Sequence, residues 1–400
     1  MRILTIACLF AATVYASHAE EPNLSIEKTL KKIAILFRHG DRSLHDIGGS
    51  GGSAQLTING ERRMYFLGKF IRKRYKNFLT DDTSEIKARS IALNRCINSL
   101  EVVLAALYPA RDEKTQIVPG LTWQPIPIAM EPLEEDPILF TESFCPKADQ
   151  SFKSLKTLPE VKQINEENKD FFKMVSEKSG RVIRDYTSAS HFQDDLLVYK
   201  VENMTLPNGE WLTDEIYDKL TNFTDLLYTF RSMDPVLQRL RGGPFIEEVI
   251  NVLAKNESEI IYTGAQDDED QSSHKLYIYA AKRYTISLVL SALGAFNNKS
   301  ALAGASVFFE LHEWNDQQYI RVLHLVESET EEVFPLTVRG CPSVNCPWDT
   351  FVSSADQSIP KDLKAECSLS SSAERPLFPQ VLPVFFGLLF LLVNPRKSMS

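Results

Sequence analysis

The 400-residue chain is poor in glycine and proline, with 17 and 20 residues, and shows no internal repeat, which excludes collagen-like and low-complexity architectures. It also lacks an excess of positive charge. Forty-four Lys and Arg against 53 Asp and Glu leave a formal charge of −9, so a general nucleic-acid binder with a broad basic surface is excluded. Its 7 histidines form no cluster with metal-ligand spacing, and neither a metal nor another cofactor is expected. Aromatic residues are not scarce: 23 Phe, 13 Tyr and 4 Trp in a chain that is 44% apolar rule out disorder. They suffice for a sizeable core in one large domain or two modest ones.

Long apolar runs are confined to the two ends. Arg2 precedes the run Ile3 to Val14, and Ser17-His18-Ala19 places small residues at a cleavage site, so residues 1–19 read as a signal peptide. Sequons at Asn23, Asn203, Asn222, Asn256 and Asn298 agree with passage through the secretory pathway, to an extracellular, lysosomal or cell-surface destination. The second run, 377–393, is interrupted by Pro379, Gln380 and Pro383 and is short for a spanning helix. Arg396 and Lys397 fit a stop-transfer flank, Ser370 to Ala373 fit a lipid-attachment site with a removable tail, and a plain extension is the third reading. Membrane attachment is the expectation.

Removal of the signal peptide leaves five of six cysteines. Cys145, Cys341, Cys346 and Cys367 lie in loop-like surroundings, which in an oxidising compartment reads as two disulfides with three pairings open. Cys96 falls in a helical pattern and reads as a small buried apolar residue rather than a nucleophile.

Along the chain, Lys32 to Phe37 is a continuous apolar run, expected to be a strand buried on both faces. Helical spacing follows over Leu56 to Leu79, a strand over Ile86 to Ile91, a helix capped by Asn94 and ended by Pro109, and a strand over Trp123 to Ile128. This alternation predicts an α/β domain with an open sheet and helices on both faces, made of residues 30–150 and 255–370. Between them, 151–254 reads as a smaller, mainly helical insertion, with helices over Val161 to Ser179 and Asp214 to Phe230. The α/β pattern resumes with a strand at Lys275 to Ala281 and a helix at Thr285 to Leu293. Strands at Ser306 to Glu313 and Tyr319 to Val326 then flank a turn at Asn315-Asp316.

The strongest local signal is Arg38-His39-Gly40-Asp41-Arg42 at the end of the first strand. Ligands of open α/β sheets bind at the carboxyl ends of strands, and here that end offers two guanidiniums, an imidazole and a glycine. The planar donor fork of arginine suits phosphate, and a neutral imidazole nitrogen can attack phosphorus to form a phosphohistidine. A solvated polar turn accounts for the same five residues in isolation. Arg95, in the first turn of a helix, adds a cation where unpaired N–H groups already favour anions.

These motifs resemble the histidine acid phosphatases, in the branch with prostatic, lysosomal and insect venom acid phosphatases and a phosphoglycerate-mutase-like fold. The resemblance runs from about Lys32 to Cys367. It rests on Leu36 to Arg42, Gln55-Leu56-Thr57 with Leu67 to Tyr75, Asn94-Arg95-Cys96, Trp123 to Pro127, Arg241-Gly242-Gly243-Pro244 and the cysteines 341, 346 and 367. It implies hydrolysis of phosphate monoesters, with His39 as nucleophile, Arg38, Arg42 and Arg95 holding phosphoryl oxygens, and disulfides Cys145–Cys367 and Cys341–Cys346. The expected partners are a phosphate monoester or another small anion, a membrane through the tail and a second copy of the chain, with no nucleic acid.

The sequence departs from the family at one place. Where the family carries His-Asp after the late strand, this chain has Lys282-Arg283. Lys282 retains positive charge for a phosphate oxygen, whereas Arg283 cannot donate a proton at any working pH. Impaired phosphatase activity is therefore expected, with a catalytically inactive anion-binding relative as the alternative. Asp267 to Asp270 lie at the wrong end of the strand, Asp41 is part of the signature itself, and none of the other carboxylates considered replaces the donor.

Overall fold

A computed structural model describes residues 22–44, 54–142, 144–254 and 274–369. The signal peptide expected at 1–19, the tail at 377–393, Asp267 to Asp270 and the sequon at Asn256 lie outside the described residues. Among the described residues no helix is long and apolar enough to cross a membrane.

Among the described residues, eight strands form one mixed sheet: β1 (Leu30–Arg38), β2 (Ile86–Ser90), β3 (Ile128–Ala129), β4 (Leu276–Ala281), β5 (Ser306–Trp314), β6 (Gln317–Leu325), β7 (Val333–Leu336) and β8 (Asn345–Pro347). Their order is β3-β2-β4-β1-β5-β6-β7, with β8 also on β6. β1 is central because its residues 33 to 37 are fully buried, so both its edges need partners within the sheet. It pairs parallel to β4 and antiparallel to β5, which makes the sheet mixed. Asn315 and Asp316 join β5 to β6 with φ of 50° and 61°, the left-handed pair that a two-residue hairpin requires and short polar side chains tolerate.

Helices α1 (Ile58–Arg74) and α2 (Asn94–Leu107) cover the sheet. Two local expectations fail here. Asn94 is the first helical residue and Leu93 the cap, with no side-chain capping bond, because the chain is pinned by Leu93 N–H to Ile91 O before the helix starts. The segment Trp123 to Ile128 pairs only from Ile128 onward, since Pro125 and Pro127 have no N–H to give a ladder.

The central stretch is helical, as α3 (Pro146–Ser154), α4 (Pro159–Glu167), α5 (Lys169–Ser179), α6 (Tyr186–Val201), α7 (Asp214–Met233) and the short α8 (Pro235–Leu237). The expected single helix at 161–179 is split at Asn168, whose side chain donates to Ile164 O at 2.8 Å and so ends α4. Val161, Phe172, Phe192, Leu220 and Phe223 give this region a core of its own. A π-helical turn at Gln238–Gly242 leads into α9 (Gly243–Leu253), whose Phe245, Ile246 and Val249 pack in the sheet's core. The remaining helices among the described residues are α10 (Arg283–Ala292), α11 (Trp348–Ala355) and α12 (Leu363–Cys367). Both disulfides implied by the resemblance are present, Cys145–Cys367 and Cys341–Cys346. Cys96 is the free cysteine among the described residues, fully buried, and burial pushes its thiol up to about 11.

Candidate active site

Strand register brings the signature and the departure side by side. Arg38 is the register partner of Ala281, so the chain leaves β1 at His39 next to where it leaves β4 at Lys282. His39 N–H donates to Ala281 O at 3.1 Å and locks that junction. A methyl group added at Gly40 would stand 2.6 Å from Gly60 O, so only glycine lets this turn pass against the start of α1. Gly40 N–H donates to Ser99 Oγ at 3.0 Å, and Ser99 Oγ donates to Arg95 O at 2.6 Å, which fixes the first turn of α2 beside the imidazole.

The imidazole tautomer follows from its neighbours. His39 Nδ1 is 2.8 Å from Gly40 O, and a carbonyl only accepts, so Nδ1 carries the proton and Nε2 keeps its lone pair. Arg95 Nε donates toward that nitrogen at 3.3 Å. Burial, then the charges of Arg38 and Arg95, hold the ring's pKa well below the ordinary histidine value. The same causes favour the neutral form of the imidazole.

Arg38 is buried, with one guanidinium nitrogen on Ala301 O at 2.6 Å and its Nε without a hydrogen-bond partner. Burial and the nearby Arg283 push it down to about 9. Arg42 bridges to Leu56 and donates to Ser43 O at 3.1 Å, and burial lowers its pKa too. Asp41 is held by Arg63 at 2.6 Å, which ties it to α1.

Arg38, Arg42 and Arg283 line a cavity together with Asp41, Asp194, Leu197, Val198, Val201 and Glu202. The space between them is about 20 Å³, room for a water or two. His39 and Arg95 are not part of this lining. Lys282 is not either: its ammonium pairs with Glu142 and lies 4.2 Å above the Phe140 ring. The expected phosphate-facing lysine is thus engaged elsewhere, because the turn after β4 directs Arg283 toward the cavity and Lys282 toward the loop before α3. Lys282 loses some of its basicity to burial.

Sequence reasoning missed Asp194. Its Oδ1 accepts from Arg283 Nη1 at 2.6 Å, so a carboxylate does stand at the cavity. Burial would raise its pKa, yet the charges of Arg283, Arg38 and Arg42 outweigh that and hold it below the usual carboxylate range. It is an anion and a poor proton donor. The available signal was the stripe Asp194, Leu197, Val198, Val201 and Glu202 at helical spacing on α6, an apolar face with acids at both ends. Nothing local aims that face at His39.

A neutral, arginine-flanked imidazole thus stands at the carboxyl end of the central strand, beside the parallel neighbour β4. Residues 43–324 match the histidine phosphatase superfamily (branch 2), and the chain belongs to that family. It is 28% identical over 381 residues to lysosomal acid phosphatase of Rattus norvegicus, covering 92% of this chain and 86% of the relative. It is 29% identical over 364 residues to prostatic acid phosphatase of Homo sapiens, covering 87% and 90%. The fold is also that of Hafnia alvei phytase in its apo form, at a TM-score of 0.65 and 16% identity, over 86% of this chain and 100% of the other.

Proposed function

We propose that this protein acts on phosphate monoesters through His39, with turnover restricted to esters whose leaving groups depart without a proton. The orientation of His39 carries the reading: its Nδ1 proton is spent on Gly40 O, which directs the Nε2 lone pair toward Arg95 and away from the backbone. Attack of Nε2 on phosphorus would form the P–N bond as the ester P–O bond breaks. Arg38, Arg42 and Arg95 would hold the non-bridging oxygens. Water would then cleave the P–N bond, releasing inorganic phosphate and restoring the imidazole. Because Arg283 occupies the donor's place, alcohols would leave as alkoxides, a handicap of roughly 10²–10⁴ in rate that phenols largely escape. The residues 1–19, the sequons and the two disulfides support a place in the secretory pathway.

A second reading, an inactive relative that binds phosphorylated or other anionic ligands, is favoured by the Arg283–Asp194 pair, which joins the donor's position to a carboxylate. Quenching the protein, mixed with an aryl phosphate radiolabelled at phosphorus, into alkaline denaturant, which spares the acid-labile P–N bond, separates the two. Label on the protein, lost in His39→Ala, supports catalysis. Saturable phosphate binding without label, and turnover no higher than in His39→Ala, supports the second reading.

A further inference from the structure

The α6 face over the cavity carries an acid where phosphate binding calls only for cations. Asp194 Oδ1 lies 2.6 Å from Arg283 Nη1, and Asp194 shares the cavity lining with Arg38 and Arg42. The apolar wall of Leu197, Val198 and Val201 on the same helix face limits where this carboxylate can go. The free space among the lining side chains is small, about 20 Å³, so a tetrahedral oxyanion entering among these guanidiniums meets the Asp194 carboxylate. Both anions are drawn to the same cluster of guanidinium charges.

We propose that Asp194 is a resident counter-anion that competes with the ligand's phosphoryl group for Arg38, Arg42 and Arg283, and so sets which anions the pocket accepts. A dianionic phosphoryl group, with twice the charge and three equivalent oxygens, displaces a carboxylate. A monoanion, such as a phosphodiester or another carboxylate, does not. The inference rests on the proposal that these arginines hold phosphate.

Calorimetric titration of the full chain with inorganic phosphate near neutral pH tests it. Asp194→Asn and Asp194→Ala should each bind phosphate about tenfold more tightly than wild type, since a negative charge a few ångströms from the ligand is removed. Arg283→Ala leaves Asp194 unpaired and should weaken binding, and adding Asp194→Asn should restore it. Folding is checked by the thermal transition of each variant. Unchanged or weaker phosphate binding in both folded Asp194 variants overturns the inference, provided that wild type binds and Arg42→Ala does not. Absence of phosphate binding in wild type and in every variant overturns the inference and the phosphate-site reading together. Loss of alkyl phosphate turnover in Asp194→Asn at unchanged phosphate affinity would instead make Asp194 a proton donor and also overturns it.

Discussion

The two ends of β1 both bury charge, and they do so in opposite ways. At the amino end, Glu310 and His312 of β5 face Ile33 and Leu30 and are fully buried. Glu310 accepts from Arg74 Nη2 at 2.7 Å, from Tyr75 OH at 2.7 Å and meets His312 Nε2 at 3.4 Å. Burial alone would raise its pKa, but His312 and Arg74 bring it down to about 2. At the carboxyl end, Arg38, Arg95 and Arg283 bring positive charge to one neutral imidazole, Arg42 lines the adjoining cavity, and Asp194 is the carboxylate paired to Arg283. The first group is a carboxylate saturated with donors, and it has nothing left to bind. The second is a set of donors short of acceptors, whose orphaned Arg38 Nε and depressed basicity mark an unmet demand for negative charge. Burial of charge at two ends of one strand thus yields structure where the partners are complete and chemistry where they are not.

Completing the chemistry at the carboxyl end should give the largest effect. Lys282→His with Arg283→Asp supplies the pair that the resemblance implies for this position, and the new carboxyl would stand near Asp194, short of the reach of the arginine it replaces. Two adjacent carboxylates do not both ionise readily, so one is held protonated, as a proton donor must be. Hydrolysis of an alkyl phosphate should rise by roughly 10²–10⁴, and that of an aryl phosphate much less. Steady-state rates on the two substrates check this; an unchanged alkyl rate in a folded double variant removes Arg283 from the donor's place.

Breaking the amino end should cost stability and leave chemistry alone. Glu310→Gln keeps the shape but strips the anion from Arg74, and should lower unfolding free energy by about 3 kcal/mol. The sign of its pH dependence follows from the depressed pKa. With about 2 in the folded chain against an ordinary 4.5, Glu310 stabilises fully above pH 4.5, and that contribution fades as pH falls through 2. Urea unfolding between neutral and acid pH should show this slope in wild type and lose it in Glu310→Gln. A change in aryl phosphate kinetics as large as the change in stability would show that the two ends of β1 are not independent.

What was legible in the sequence was what depends on neighbours along the chain. The apolar run at 32–37 became β1, Asn315-Asp316 became a hairpin turn, and the Arg38 to Arg42 signature landed at the carboxyl end of a central strand. The disulfide pairing came from family resemblance, since spacing left three choices. The strand expected over Trp123 to Ile128 failed because alternation is blind to two prolines that cannot donate. The site's anions were illegible for a different reason. Asp194 meets Arg283 across 89 residues and Glu142 meets Lys282 across 140, and pairings made by tertiary packing leave no periodic trace. Charge counting along the sequence therefore gathered too many cations around the anion site.

The smallest effect expected is the one that sharpens the boundary between the cavity and its surroundings. The resemblance implies Lys282 as a phosphate ligand, yet its ammonium is committed to Glu142 and the Phe140 face. Lys282→Met keeps the stem over Phe140 and removes the charge. Phosphate affinity should then change by less than about twofold, because a partly exposed pair is worth ~1 kcal/mol or less and its loss does not touch Arg38 or Arg42. Arg42→Ala, which removes a cavity-lining cation, should weaken phosphate far more under the same conditions. A tenfold loss in Lys282→Met would place the ammonium on the ligand after all, and would mean that Glu142, rather than Asp194, is the carboxylate that gives way when phosphate enters.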